Sequence, residues 1–131
     1  MSPIIRVAIA DDHILFRKGL RALLTAFDEV DVLFEAGDGQ ELLERIDALT
    51  HHPDVVLMDL QMPVLDGLQT TRLLRVQYPG IRVIIISMHD EPELIESLKA
   101  EGAYGYLLKN ANPEEMRRMI KGAVAHTVAV S

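Results

Sequence analysis

The chain alternates between short apolar runs and stretches with helical periodicity, five times over, and that order leaves few folds open. Ile4 to Ala10, broken only by Arg6, reads as a first buried strand. Phe16, Leu20, Leu23, Leu24 and Phe27 then recur at helical spacing, which predicts an amphipathic helix from about Ile14 to Ala26. Val32-Leu33-Phe34 marks a second strand. Asp38 with Glu41 has the form of a capping box for a second helix that turns Leu42, Ile46 and Leu49 inward, and Pro53 forbids its continuation. Val55-Val56-Leu57-Met58 is an uninterrupted apolar run, the pattern of a strand covered on both faces, and it ends at Asp59.

Asp66-Gly67 opens a third helix reaching about Tyr78, and Pro79-Gly80 is a turn. Val83 to Ile86 is a fourth strand ending at Ser87. Asp90 and Pro92 suit the start of a fourth helix, whose apolar face (Leu94, Ile95, Leu98) is thin and which Gly102 ends. Gly105 to Leu108 is a fifth strand ending at Lys109. Asn112-Pro113-Glu114-Glu115 starts a last helix with Met116, Met119, Ile120, Ala123 and Val124 on its buried stripe. Right-handed crossovers turn this order into a parallel α/β sheet with helices on both faces. The expected strand order is 2-1-3-4-5, with the switch point between strands one and three.

Composition removes several classes of function. Apolar residues make up 49% of the 131, enough for one domain with a core. No run approaches membrane-spanning length and no signal peptide is recognisable, so no membrane role and a cytoplasmic location are expected. Without cysteine there is no disulfide and no thiolate metal site. A formal charge of −7 repels a phosphate backbone, so the chain by itself is a poor ligand for nucleic acid.

Ligands of an open parallel sheet collect beyond the carboxyl ends of its strands. There the sequence supplies Asp11 and Asp12, Asp59, Ser87 and Lys109. Packed carboxylates repel one another unless a cation arrives. Mg²⁺ suits them, being a hard ion that takes oxygen ligands and keeps several waters. Its ligands would be Asp11, Asp12 and Asp59, with the backbone carbonyl of Gln61 as a further oxygen. With Lys109 as a fixed positive charge and Ser87 as a hydroxyl donor, the set suits a phosphoryl group carried on Asp59. The plainer reading makes Asp11 and Asp12 turn residues. His51-His52 lacks other ligands at metal spacing and reads as a solvated helix end. His13 and His89 flank the pocket without an obvious partner.

Here the chain resembles a known family, the receiver domains of two-component response regulators. The resemblance covers essentially the whole chain. It rests on Asp11-Asp12, on Met58-Asp59-Leu60-Gln61-Met62-Pro63 with Asp66-Gly67, on Ser87 and on Tyr106-Leu107-Leu108-Lys109. The segment Asp12-His13-Ile14-Leu15-Phe16-Arg17-Lys18-Gly19-Leu20-Arg21 is similar to the LuxR/NarL-type subfamily. The resemblance implies a flavodoxin-like (βα)5 fold, with residues 1–127 as the receiver domain and 128–131 as the start of a linker or tail. It implies that Asp59 takes a phosphoryl group from a cognate histidine kinase, with Mg²⁺ on Asp11 and Asp12, Lys109 pairing with the phosphoryl oxygens, and Ser87 and Tyr106 as the switch pair. A homodimer formed on phosphorylation, and DNA reached only through a C-terminal helix-turn-helix domain absent from this chain, complete the expectation. A stop codon directly after Ser131 in the gene would favour a stand-alone receiver instead. One departure stands out: many members carry proline after the lysine, often with a cis bond, whereas this chain has Asn110. A cis Lys109–Asn110 peptide would cost about 3 kcal/mol, which leaves the geometry of that loop open.

Other classes fit less well. A phosphatase of the haloacid dehalogenase type carries a second aspartate two residues after its nucleophile, where this chain has Gln61. A flavodoxin-like cofactor binder needs Gly, Ser or Thr donors in its first loop, where Asp11-Asp12 would repel the phosphate. A receiver-like scaffold that works without phosphorylation would not need the intact acidic set. The expectation is therefore a phosphoacceptor, not an enzyme acting on a separate substrate.

Overall fold

The structure, a computed structural model, describes residues 4–130 and the side chains of residues 4–125. Its elements run β1 (Ile5–Ala10), α1 (Ile14–Thr25), β2 (Val30–Ala36), α2 (Gly39–Asp47), β3 (Val55–Asp59), α3 (Gly67–Gln77), β4 (Arg82–Ser87), α4 (Pro92–Ala100), β5 (Gly105–Leu108) and α5 (Pro113–Val130). The strands form one parallel sheet in the order β2-β1-β3-β4-β5, as expected. The expected tail at 128–131 lies outside the residues whose side chains are described.

Each face of the sheet has its own core. Ala8, Val56, Met58, Val83 and Ile85 point toward Leu42, Ile46, Leu74 and Leu98 of α2, α3 and α4. Val7, Ile9, Val55, Leu57, Ile84 and Ile86 point toward Leu20, Leu24, Met116 and Ile120 of α1 and α5. A strand covered on both sides has no reason to alternate apolar with polar residues, which is why β3 and β4 read as continuous apolar runs. All five residues of β3 are buried, Asp59 included.

One irregularity re-aims a side chain. Along β1 and β2, Val7 pairs with Val32 but Ala8 pairs with Phe34, so Leu33 is an extra residue on β2. Such a bulge inverts the faces that follow it. Val30 and Val32 belong to the core under α1 and α5, whereas Phe34 and Ala36 belong to the other core. Glu35, opposite Ile9, is thereby turned toward α1.

The caps depart in detail from the sequence pattern. At α2, Asp38 accepts the N–H of Glu41 at 2.8 Å, but the Glu41 carboxylate takes the N–H of Gly37 at 2.6 Å, so the expected box closes one residue early. The complete capping box lies at α3, where Asp66 and Gln69 satisfy each other's backbone N–H groups at 2.8 and 3.0 Å. At α4 the cap position is Glu91, not Asp90, and its side chain makes no capping bond. At α5, Asn112 accepts the N–H of Glu115 at 2.8 Å. No cis peptide occurs among the described residues, so Lys109–Asn110 is trans.

Candidate functional site

The carboxyl ends of β1, β3, β4 and β5 meet at one edge of the sheet, and the chemistry-bearing residues follow directly on those ends. Asp11 and Asp59 are almost fully buried, whereas Asp12 is exposed. Asp11 is tied on all sides. Its N–H donates to the Ala36 carbonyl at 3.0 Å, its own carbonyl accepts from Arg17 Nη1 at 2.7 Å, and its Oδ1 accepts the His13 N–H at 2.7 Å. The Lys109 ammonium, its side chain only 8% exposed, lies 3.1 Å from Asp11 Oδ2 and 3.4 Å from Asp59 Oδ2. The same ammonium sits 4.5 Å above the Phe16 ring of α1.

Asp59 is poised rather than relaxed. Burial pushes its carboxyl above the usual carboxylate range, and the negative charge of Asp11 pushes it further. Lys109 and a hydrogen bond from the Gln61 backbone offset this only in part. Donor atoms of Asp11, Asp12, His13 and Asp59 all lie within 4.8 Å of one another. A buried carboxylate crowded by a second one is what a divalent cation would relieve, and the three aspartates are the oxygen donors that Mg²⁺ prefers. The site therefore fits the ion. Gln61 stands beside it and gives its backbone N–H to Asp59.

The loop after Asp59 is folded back tightly. Gly67 N–H donates to the Leu60 carbonyl at 2.8 Å. A Cβ on Gly67 would come within 2.5 Å of the Asp59 carbonyl oxygen and 2.8 Å of Leu60 Cα, so only glycine fits at the first turn of α3. Between them, Leu65 N–H reaches back to the Pro63 carbonyl at 2.8 Å around Val64, whose φ is +68°. A β-branched residue there is strained, and such strain concentrates in functional loops.

Ser87 is buried at the end of β4 and accepts the N–H of His89 at 3.2 Å. The Tyr106 hydroxyl, from β5, donates to the His89 carbonyl. Ser87 and Tyr106 are thus joined through the two backbone groups of one loop residue. The sequence pattern placed His13 without a partner. The structure puts its Nδ1 3.0 Å from Lys109 Nζ and 3.4, 3.9 and 3.7 Å from carboxylate oxygens of Asp11, Asp12 and Asp59. Its place directly after the acidic pair was the only available signal, since its reach depends on the extended backbone at the α1 cap position. Phe16 and Arg17, one turn further, carry only the signals of an apolar helix face and of the subfamily segment, neither of which points to the pocket.

Comparisons with known proteins agree with this geometry. Residues 7–121 match the family described as response regulator receiver domain. The transcriptional regulatory protein DegU of Brevibacillus brevis is 35% identical over 117 residues, covering 89% of this chain and 49% of that protein. The transcriptional regulatory protein NarL of Mycobacterium tuberculosis is 40% identical over 116 residues, covering 88% of this chain and 53% of that protein. The solved signal receiver domain of the Mycobacterium tuberculosis response regulator NarL superposes with a TM-score of 0.82 at 39% identity, over 95% of this chain and 96% of that one. The chain spans about half the length of the curated relatives it matches.

Proposed function

This chain belongs to the response regulator receiver domains, of the NarL/DegU type, and from that premise we propose that Asp59 is its phosphoacceptor. The observation that carries the reading is a buried carboxylate, Asp59, set between a second buried carboxylate and a buried ammonium, 3.4 Å from the latter. The donor is a phosphohistidine of a cognate kinase. An Asp59 oxygen attacks phosphorus, the phosphorus–nitrogen bond breaks, and the imidazole leaves with its electron pair and takes up a proton. Lys109 holds positive charge beside the transferring oxygens. Asp11, Asp12 and Asp59, with the Gln61 carbonyl, would hold Mg²⁺, which when bound supplies further neutralisation of those oxygens.

Docking has a surface to use. Ile14, Leu15, Val64 and Met88 are large, apolar and exposed, and all lie within a few residues of Asp12, Asp59 or Ser87 in the chain. The chain takes part in its own phosphorylation and dephosphorylation, and does not act as an enzyme on a separate substrate. Dimerisation on phosphorylation and a DNA-binding output in a segment beyond this chain are the downstream steps proposed. A cytoplasmic location follows from the same role, and no described helix is long and apolar enough to cross a membrane.

Acetyl phosphate with Mg²⁺ should add one acid-stable, base-labile phosphoryl group, read as intact mass and located at Asp59 by peptide mapping. Asp59→Asn keeps the shape but removes the nucleophile, so the added mass should vanish. A chelator should abolish labelling of the wild type. Label that persists in Asp59→Asn would overturn the assignment.

A further inference from the structure

The buried Glu35 carboxylate gathers three cations from one face of α1: Arg17 Nε at 2.9 Å, Lys18 Nζ at 3.2 Å and Arg21 Nη1 at 2.9 Å. Charge balance does not need all three. Lys18 and Arg21 reach only the carboxylate, with side chains 62% and 44% exposed. Arg17 differs. Its side chain is 16% exposed, and a second nitrogen, Nη1, donates to the Asp11 carbonyl at 2.7 Å.

We propose that Arg17 is a positioning residue for the acidic pocket: anchored on Glu35, its guanidinium clamps the Asp11 carbonyl and thereby sets the Asp11 carboxylate for the cation. The proposal rests on the Mg²⁺ reading of the pocket given above. A planar guanidinium can serve two acceptors in fixed directions at once, which an ammonium on a flexible stem cannot do in the same way. The Asp11 N–H is already held by Ala36, the residue after Glu35 on β2. Clamp and strand therefore grip Asp11 from both sides of its Cα, and its carboxylate leaves a backbone with little freedom to turn. The β2 bulge makes the clamp available, because regular alternation through Leu33 would set Glu35 opposite Ala10 and turn its side chain to the other face of the sheet. Glu35 also offsets the Arg17 charge, so the pocket gains a rigid donor with less added repulsion toward a cation. Groups that hold metal ligands from behind typically change metal affinity about 10–100-fold when removed.

The probe is Mg²⁺ alone, titrated against the isotope-labelled protein and read from the amide resonances of Asp11, Asp12 and Asp59. Arg17→Ala and Arg17→Lys should both weaken Mg²⁺ binding about tenfold or more. Arg17→Lys keeps a cation for Glu35 and should melt close to the wild type, so it decides the matter should Arg17→Ala fold poorly. Arg21→Ala removes a Glu35 partner that does not touch Asp11, and should leave the Mg²⁺ affinity unchanged. In acetyl phosphate labelling, Arg17→Lys should need correspondingly more Mg²⁺ yet approach the wild-type rate at saturation. Unchanged affinity in Arg17→Lys, or an equal loss in Arg21→Ala, would overturn the positioning role. A wild type that shows no saturable Mg²⁺ shift would overturn the cation reading itself and this inference with it.

Discussion

Glu35 and Asp59 are both carboxylates with little exposure, and their surroundings drive them in opposite directions. Burial raises the Glu35 carboxyl, but hydrogen bonds from Arg21, Arg17 and Lys18 together outweigh it and hold it below the ordinary glutamate value of 4.5. A pKa lowered by folding means that the unfolded chain takes up the proton first as acid is added. The stabilisation is therefore complete above the unfolded value and is lost as pH falls through the folded one. Glu35→Gln leaves three cations around a neutral amide and should cost roughly 1–3 kcal/mol at pH 7. Denaturant melts across a pH series should show that gap closing below the ordinary glutamate range; a gap that stays constant in acid would mean the loss is packing rather than charge. Asp59 is the reverse case. Burial first and Asp11 second raise its pKa, so its ionised form is a burden on the fold near neutrality. Asp59→Asn should melt higher than the wild type in metal-free buffer at pH 7, and a lower midpoint would contradict the placement of that charge.

At the scale of elements, the β4–α4 connection joins Ser87 to β5 through hydrogen bonds. His89 gives its N–H to Ser87 and its carbonyl to the Tyr106 hydroxyl. A phosphoryl group on Asp59 would offer a charged acceptor to the Ser87 O–H, and movement of Oγ toward it would lengthen the 3.2 Å bond that Oγ accepts from the His89 N–H. A hydrogen bond to the charged acceptor is worth roughly 1.5–3 kcal/mol, enough to shift a two-state population about tenfold or more. Ser87→Ala should still be labelled at Asp59, but the change in amide exchange over residues 88–108 on phosphorylation should largely disappear. A full wild-type change in Ser87→Ala would remove Ser87 as the coupling group. What the sequence could reveal follows the same division into elements. Strand ends were legible because strands covered on both faces are unbroken apolar runs, so Asp59 and Ser87 could be placed at one edge, and the short run Gly105 to Leu108 placed Lys109 beside them. Contacts that depend on angle or register were not. His13 reaches the pocket because α1 leaves β1 through an extended cap residue, with φ −85° and ψ 98°. Arg17 meets Glu35, eighteen residues away, only because of a bulge that no residue in Val32-Leu33-Phe34 announces.

For the molecule as a whole, charge decides what it can hold. The chain has 13 lysines and arginines against 20 acids. Among the described residues, Arg17, Lys18 and Arg21 already sit on Glu35, Arg45 on Glu41, Arg72 on Glu101, Lys109 on Asp11 and Asp59, and Arg117 on Glu29. A groove beside α1 and α2 gathers Arg17, Lys18, Arg21 and Arg45, but Glu35 and Glu41 line it as well. Binding a phosphate backbone would mean breaking these pairs against a net charge of −7. Phosphorylation at Asp59 would add further negative charge. The 131-residue chain should therefore show no binding to duplex DNA by fluorescence anisotropy at about 50 mM salt, a condition that exaggerates electrostatic attraction. The result should be the same after treatment with acetyl phosphate and Mg²⁺. Any transcriptional output of the kind named in its relatives would then travel through contacts with protein, made by the faces that phosphorylation alters. Saturable binding that weakens linearly in log–log form as salt rises would show a basic face able to override the overall charge, and would return DNA contact to this domain.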